Sequence, residues 1–280
     1  MDGTFLFGLY IGLTVVGVLA PMLAGAFRVG RGDLVRPALI GVFGALAVLI
    51  VVESLFEEGS RYPTLKGQTF LIGVLSLLAA AVLSWAVYET LRARARGYEP
   101  SRRGVYTGVV VATAVFAVAQ GGLLPAQFLT ATARAATGEG ASLQPLVEIV
   151  LGLSTATVVG ILLFQILLRI RPDRWFSAVA YGLLAVNAAG MLAHAVGNLQ
   201  VADVLGGTGE PVYSVYAEIP PDSWYGTVLT GLLGFQYAPN TFQVTVWFLY
   251  LIPAVLLVLA PIKFGRSVGG HGGRGKDGRW

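Results

Sequence analysis

Seven stretches of this chain run for about twenty residues with almost no charge. A helix of that length crosses the roughly 30 Å hydrocarbon core of a bilayer. The stretches are 4–27, 37–55, 68–91, 105–129, 146–168, 176–197 and 242–262. Hydrocarbon offers backbone amides no water, so such spans must satisfy their hydrogen bonds internally as helices. The rest of the composition agrees. Of 280 residues, 55% are apolar and only 12% charged, about half the charged share of soluble domains. The sequence therefore predicts an all-α, polytopic membrane protein with seven transmembrane helices.

Lysine and arginine set the expected orientation through the positive-inside rule. Sixteen of the 19 fall in one set of connections: Arg28, Arg31 and Arg36; Arg92 to Arg103; Arg169, Arg171 and Arg174; and the segment from Lys263 onward. The other side has only Arg61, Lys66 and Arg134. This partition alternates through all seven spans and places the N-terminus outside and the C-terminus in the cytoplasm. Asp2 precedes the first span and its basic flank follows it, which suits an anchor and not a cleaved leader. The net charge of +4 forms no continuous patch, so nucleic acid is excluded as a partner. The absence of cysteine removes disulfides, thiol catalysis and cysteine-based metal sites.

These boundaries divide the chain into a membrane domain, 1–264, and a glycine-rich basic tail, 265–280, expected to be disordered. Within the domain, 1–103 and 104–197 read as two halves, followed by an outer connection at 198–241 and a last helix at 242–264. The halves share a weak pattern: Gly12-Leu13 then Pro21 in the first, Gly122-Leu123 then Pro125 in the second. Three spans per half would insert the second upside down, as inverted repeats with a site where they meet. The outer connection carries Tyr213, Tyr216, Trp224, Tyr225 and Tyr237, and is expected to lie along the interface or fold over the helices.

Ionisable groups in hydrocarbon are costly, so the few near the spans are candidates for function. Glu53, Glu89 and Glu148 sit near span ends, and His194 about one turn from the end of span six. Asn198 and Gln200 follow it, and His194 and Asn198, four apart, share a helix face. Tyr10, Thr14, Gln120 and Asn187 are uncharged polar groups within spans, where helix-to-helix hydrogen bonding is their ordinary role. No phosphate-binding loop, catalytic serine constellation or histidine-rich zinc pattern is present, so no enzyme activity is expected. His194 is the only histidine in a span, which argues against a haem pair.

One region resembles a known family. His194-Ala-Val-Gly-Asn-Leu-Gln200 leads into the outer connection. That connection ends in Pro221-Asp-Ser-Trp-Tyr-Gly226 and Leu232-Leu-Gly-Phe-Gln-Tyr-Ala-Pro239, and Gln243-Val-Thr-Val-Trp-Phe-Leu-Tyr-Leu-Ile-Pro253 follows. The pattern is similar to the C-terminal third of the high-affinity iron permeases, the membrane partners of ferroxidases and of related bacterial iron uptake systems. The resemblance implies seven spans, an outside N-terminus, inverted halves and iron as transported substrate rather than cofactor. It also implies a ferroxidase-like or other membrane or periplasmic partner besides the lipid bilayer.

In that family spans one and four each carry Arg-Glu-Gly-Leu-Glu, whose glutamates are thought to bind and relay iron. The matching positions here are Tyr10-Ile11-Gly12-Leu13-Thr14 and Gln120-Gly121-Gly122-Leu123-Leu124. Gly-Leu persists in both, while the arginines and glutamates are gone. Hard ferric iron wants anionic oxygen, and one threonine hydroxyl does not meet the Born cost of a trivalent ion. The expected function is a cell-membrane permease moving iron or another metal or solute without the usual carboxylates. The alternative is a non-transporting subunit that pairs with an active permease or other membrane partner.

Overall fold

The computed structural model describes residues 3–28, 36, 40, 65–95, 109, 113, 144–171, 173–207 and 209–259. The described residues form six helices: α1 (Gly3–Arg28), α2 (Leu65–Ala95), α3 (Gln144–Arg169), α4 (Asp173–Val201), α5 (Trp224–Leu233) and α6 (Thr241–Leu259). All except α5 are long and apolar enough to cross a membrane. They cover the first, third, fifth, sixth and seventh expected spans. The expected spans 37–55 and 105–129 fall almost wholly outside the described residues. The described residues are thus all-helical in their regular structure, and the chain is a multi-pass membrane protein.

Small residues bring α1 and α3 together. Gly8, Gly12 and Val16 on α1 face Gly152, Ala156 and Gly160 on α3, one helical turn apart in each case. A Cβ at Gly152 would stand 2.6 Å from the Leu9 amide nitrogen, and one at Gly8 would run into the Ile149 carbonyl. Close backbone approach of this kind is how helices associate where lipid removes the hydrophobic drive. At the far end, Arg28 donates to the carbonyls of Leu168 (3.2 Å) and Ile170. Those carbonyls end α3 without helical partners, and a cation there also suits the helix dipole. The Arg28 guanidinium lies 4.1 Å from the Phe176 ring centroid as well.

These contacts fix relative directions. Gly8, Gly12 and Val16 meet Ile149, Ala156 and Gly160 in ascending order, so α1 and α3 run parallel. Gly17 lies by Asn187 and Gly25 by Tyr181, so α4 runs against α1. Gly73 meets Leu199, and Leu83 and Val87 share a void with Tyr181 and Leu184, so α2 runs against α4 and with α1. Gln243 reaches Ala193 while Ser84 donates to the Tyr250 hydroxyl at 2.8 Å, which aligns α6 with α2. Four helices therefore point one way and α4 the other. A core of Val18, Met22, Ala80, Leu83, Leu184, Ala188 and Met191 joins α1, α2 and α4. Leu249, Leu256 and Leu257 on α6, like Ile161 and Leu162 on α3, are exposed, as lipid-facing side chains are.

The connection expected to lie along the interface or fold over the helices packs a short helix against α1 and α4. Ser223 caps α5, its hydroxyl accepting from the Gly226 amide at 3.1 Å, which stops the chain and starts a helix. The ten residues that follow are apolar enough to be buried and too few to cross, at about 15 Å. Gly234, at φ 62°, closes the helix in the left-handed conformation, where a Cβ is disfavoured. The chain then returns through 234–240 to Asn240, beside Gln200.

Candidate functional site

The site is assembled around the end of α5. Asn187 lies midway along α4, and its Nδ2 donates to the Leu232 carbonyl at 2.7 Å and to Leu183 at 3.1 Å. Gly190, one turn on, lets Gly234 approach so closely that an added Cβ would stand 2.6 Å from its Cα. The C-terminus of α5 is thereby held at mid-depth. Irregular backbone at that depth is tolerated only when protein or a wet cavity surrounds it.

The expected motif positions of α1 meet this element. Leu13 is fully buried, and its Cβ lies 2.8 Å from where a Gly231 Cβ would stand, with the Tyr10 carbonyl at 3.3 Å. Gly12 turns to α3, against Ala156 and Leu153. Thr14 is buried, and its hydroxyl is engaged with the Tyr10 carbonyl at 3.0 Å. Tyr10 and Ile11 are half-buried. The first motif thus sits between α3 and α5, with glycine at the tightest contacts. Its counterpart, Gln120, Gly121, Gly122, Leu123 and Leu124, lies outside the described residues, as does Glu53.

A second group gathers at the Thr4 end of the bundle. His194, Gly197, Asn198, Gln200, Val201, Gly209, Asn240 and Gln243 line an open depression of about 340 Å³. Its wall is rigid. Asn240 and Gln243 form a reciprocal cap on α6: the Gln243 side chain accepts from the Asn240 amide at 2.9 Å, and Asn240 Oδ1 from the Gln243 amide at 3.0 Å. This is the capping-box geometry. Asn240 Nδ2 donates to Gln200 Oε1 at 2.6 Å, and Gln200 Nε2 to the Gly207 carbonyl at 2.9 Å. Gln243 Nε2 reaches the Ala193 carbonyl at 3.3 Å.

The structure brings His194, Asn198 and Gln200 to one depression, of which spacing linked only His194 and Asn198, and His194 stands nearly two turns from the end of α4 rather than one. Asn240 and Gln243 were not anticipated, although an Asn-x-x-Gln spacing before an apolar run is a helix-start signal. Glu148 belongs to neither group. It accepts from Thr4 and from Gln144 Nε2 (2.9 Å), tying α3 to the start of α1. Outside the spans, Lys66 pairs with Asp203 and holds that carboxyl below its ordinary value. Among the described residues no three His, Cys, Asp or Glu side chains converge as a metal cage would require.

The sequence profile of the iron permease FTR1 family matches residues 8–266. The ferrous iron permease EfeU of Escherichia coli O157:H7 is 29% identical over 273 residues, covering 94% of this chain and 97% of that protein. EfeU of Shigella sonnei gives the same figures. EfeU of Shigella flexneri is 30% identical over 221 residues, 75% of this chain and 91% of that protein. No solved structure matches the chain significantly.

Proposed function

This chain belongs to the iron permease FTR1 family, and on that premise we propose that it carries iron, in the ferrous state, across the cell membrane. The carrying observation is the meeting of α5 with the first motif. A half-helix ends at mid-depth against Leu13 and the Tyr10 carbonyl, presenting the negative end of its dipole to the pathway. Discontinuous helices of this kind build cation sites in transporters. The charge state follows from the residues present. Born costs grow with the square of the charge, so a divalent ion is far cheaper than a trivalent one beside Tyr10, Ile11, Gly12, Leu13 and Thr14. The second motif, Gln120, Gly121, Gly122, Leu123 and Leu124, would supply the opposite wall.

Parity supports seven spans. Helices α1, α2 and α3 run parallel, which agrees with the seven-span reading, in which one further span separates each successive pair. The antiparallel pairing of α2 with α4 is what a twofold axis in the membrane plane, exchanging spans three and six, requires of inverted halves. The positive-inside count then puts Thr4, His194 and the depression outside. An oxidase-type or periplasmic partner would meet the molecule on that face, where much of 202–222 is exposed.

The test is uptake by the purified protein in liposomes, with ferrous iron under anoxia, ferric iron, and a panel of other divalent metals. Ferrous uptake above empty liposomes is expected. No uptake of any metal, with the protein correctly inserted, would sink the proposal and leave the non-transporting subunit. Calorimetry on a Thr14→Glu, Leu124→Glu variant adds a second measure. Restored carboxylates should create ferric binding that the parent lacks.

A further inference from the structure

We propose that α5 and the return segment after it form a gate with two positions, and that the unpaired Gln236 amide keeps the seated position marginal. Only the effect on uptake rests on the permease reading; the motion itself does not. Gln236 stands two residues past Gly234, which presses against Gly190 at mid-depth. Its Nε2 is buried and meets no hydrogen-bond acceptor among the described residues. Its neighbours are paired. Ser223 caps the start of α5, Asn187 donates to the Leu232 carbonyl, and Thr230 donates to the Tyr237 hydroxyl at 3.1 Å. One orphaned donor in so well paired an element is a cost stored in the seated state. Burying an amide without a partner disfavours that state by roughly five- to hundredfold.

The surroundings give the element somewhere to go. The segment 234–240 follows α4 outward from Gly190 to Gln200. The open depression lies along the same stretch, lined by Asn198, Gln200, Asn240 and Gln243. An outward shift of one helical turn, about 5 Å, would carry the Gln236 amide from its buried seat towards that polar space, where it can be solvated. Asn240, bonded to Gln200 and capping α6, is the fixed end. The outer connection travels with the segment, because the Val212 and Val215 amides donate to the Pro239 and Tyr237 carbonyls at 2.9 and 3.0 Å. Tyr216 stacks on Tyr237 as well, with ring centroids 5.8 Å apart. What seats α5 is local: one side-chain bond from Asn187 and close contacts at Gly190 and Gly231. A gate must populate both of its positions, and a penalty built into one keeps the other within reach.

The test is hydrogen–deuterium exchange of the full-length protein in nanodiscs, comparing the parent with Gln236→Leu and Gln236→Met. Each variant removes the orphaned donor and keeps most of the bulk, so each should hold the seated position more firmly. Methionine, unbranched like glutamine, carries the comparison if leucine upsets the fold. Exchange should slow by roughly five- to hundredfold across the whole of 224–239 and stay unchanged in α1 and α3. In liposomes the same variants should lower the maximal rate of ferrous uptake, because the gate leaves its seat less often. Exchange unchanged or faster in the folded variants overturns the proposal. So does slowing confined to 235–237, which is a packing effect and not a unit in motion. Slowed exchange with an unchanged maximal rate also overturns the gate, and leaves the permease reading standing. Slowed exchange across the unit, with no uptake by the parent, upholds the two-position element and fails the permease reading.

Discussion

The docking of α5 can be tested at Gly190. Alanine there should raise helix propensity by up to about 1 kcal/mol, so a mutation judged on α4 alone would stabilise. The structure gives the opposite sign. The new Cβ would stand 2.6 Å from the Gly234 Cα and 3.0 Å from its carbonyl oxygen, and both are backbone atoms that no rotamer change can move. Ordinary carbon contacts begin near about 3.5 Å, so the end of α5 must withdraw by about 1 Å. That lengthens the 2.7 Å bond from Asn187 to Leu232 beyond hydrogen-bonding range. Overpacking costs about 1–3 kcal/mol, and an interhelical hydrogen bond in a membrane about 0.6–2. The two overlap, because withdrawal relieves the first by spending the second. A net loss of about 1–3 kcal/mol in α5 docking is expected, which at tenfold per 1.4 kcal/mol is roughly five- to hundredfold. Hydrogen–deuterium exchange in nanodiscs reads this directly. Residues 224–240 should exchange faster by that factor while α1 and α3 keep their protection. Asn187→Leu should reproduce part of the effect, and the double variant should fall short of the sum. Unchanged exchange in 224–240, or acceleration spread equally over α1 and α3, would refute the argument.

Three other perturbations probe the frame. Gly152→Val should separate α1 from α3, because even the first carbon of the side chain would lie 2.6 Å from the Leu9 amide nitrogen; a loss of about 1–3 kcal/mol should appear as a lowered thermal midpoint in detergent. Arg28→Ala should cost about 1–3 kcal/mol by orphaning the carbonyls that end α3, and Arg28→Lys should recover part of it by the same measurement. Asp203→Asn tests the Lys66 pair through pH. Its folded carboxyl lies below the ordinary 3.8, so the pair's stabilisation is complete above that value and disappears as pH falls through the lower folded value. The parent's margin over Asp203→Asn in acid titration should therefore be constant from neutral pH down to about 4 and close below it.

The five long helices were legible because twenty uncharged residues admit one structure in oil. Their neighbours were half-legible: Gly8, Gly12, Gly152, Ala156 and Gly160 mark contact faces by their four-residue spacing, yet nothing in that spacing says α1 chooses α3. Helix α5 was missed for a physical reason. Ten apolar residues are too short to register as a span, and the aromatics around them read equally well as an interfacial belt. Ser223 and Gly234 are residue types that helix ends favour, but both types are common in connections and neither was read as an end. What hid its depth was that Asn187, the residue holding it, lies 45 positions away. His194 and Asn198 were linked by helical periodicity, while Asn240 joined them only through the return of the chain after α5.

The glycines that hold the site together and the polar positions of the first motif differ in kind. Gly12, Gly190, Gly231 and Gly234 shape backbone, and an added Cβ at each would meet its nearest atom at 2.4–2.8 Å, which tolerates no side chain without movement. Losing one would cost the fold. The charged positions of the first motif act through side chains instead: Tyr10 and Ile11 are half-buried, and Thr14 is buried with its hydroxyl on the Tyr10 carbonyl. A chain can therefore shed the motif's charge and keep its re-entrant architecture, with the permitted ion falling in charge as the carboxylates go. The two properties should separate by mutation. Carboxylates restored at 14 and 124 should alter which ion is held, while exchange protection of α5 stays as it is. If restoring them unseated α5, pathway and scaffold would be one system, and neutral side chains at these positions would be a requirement of the fold.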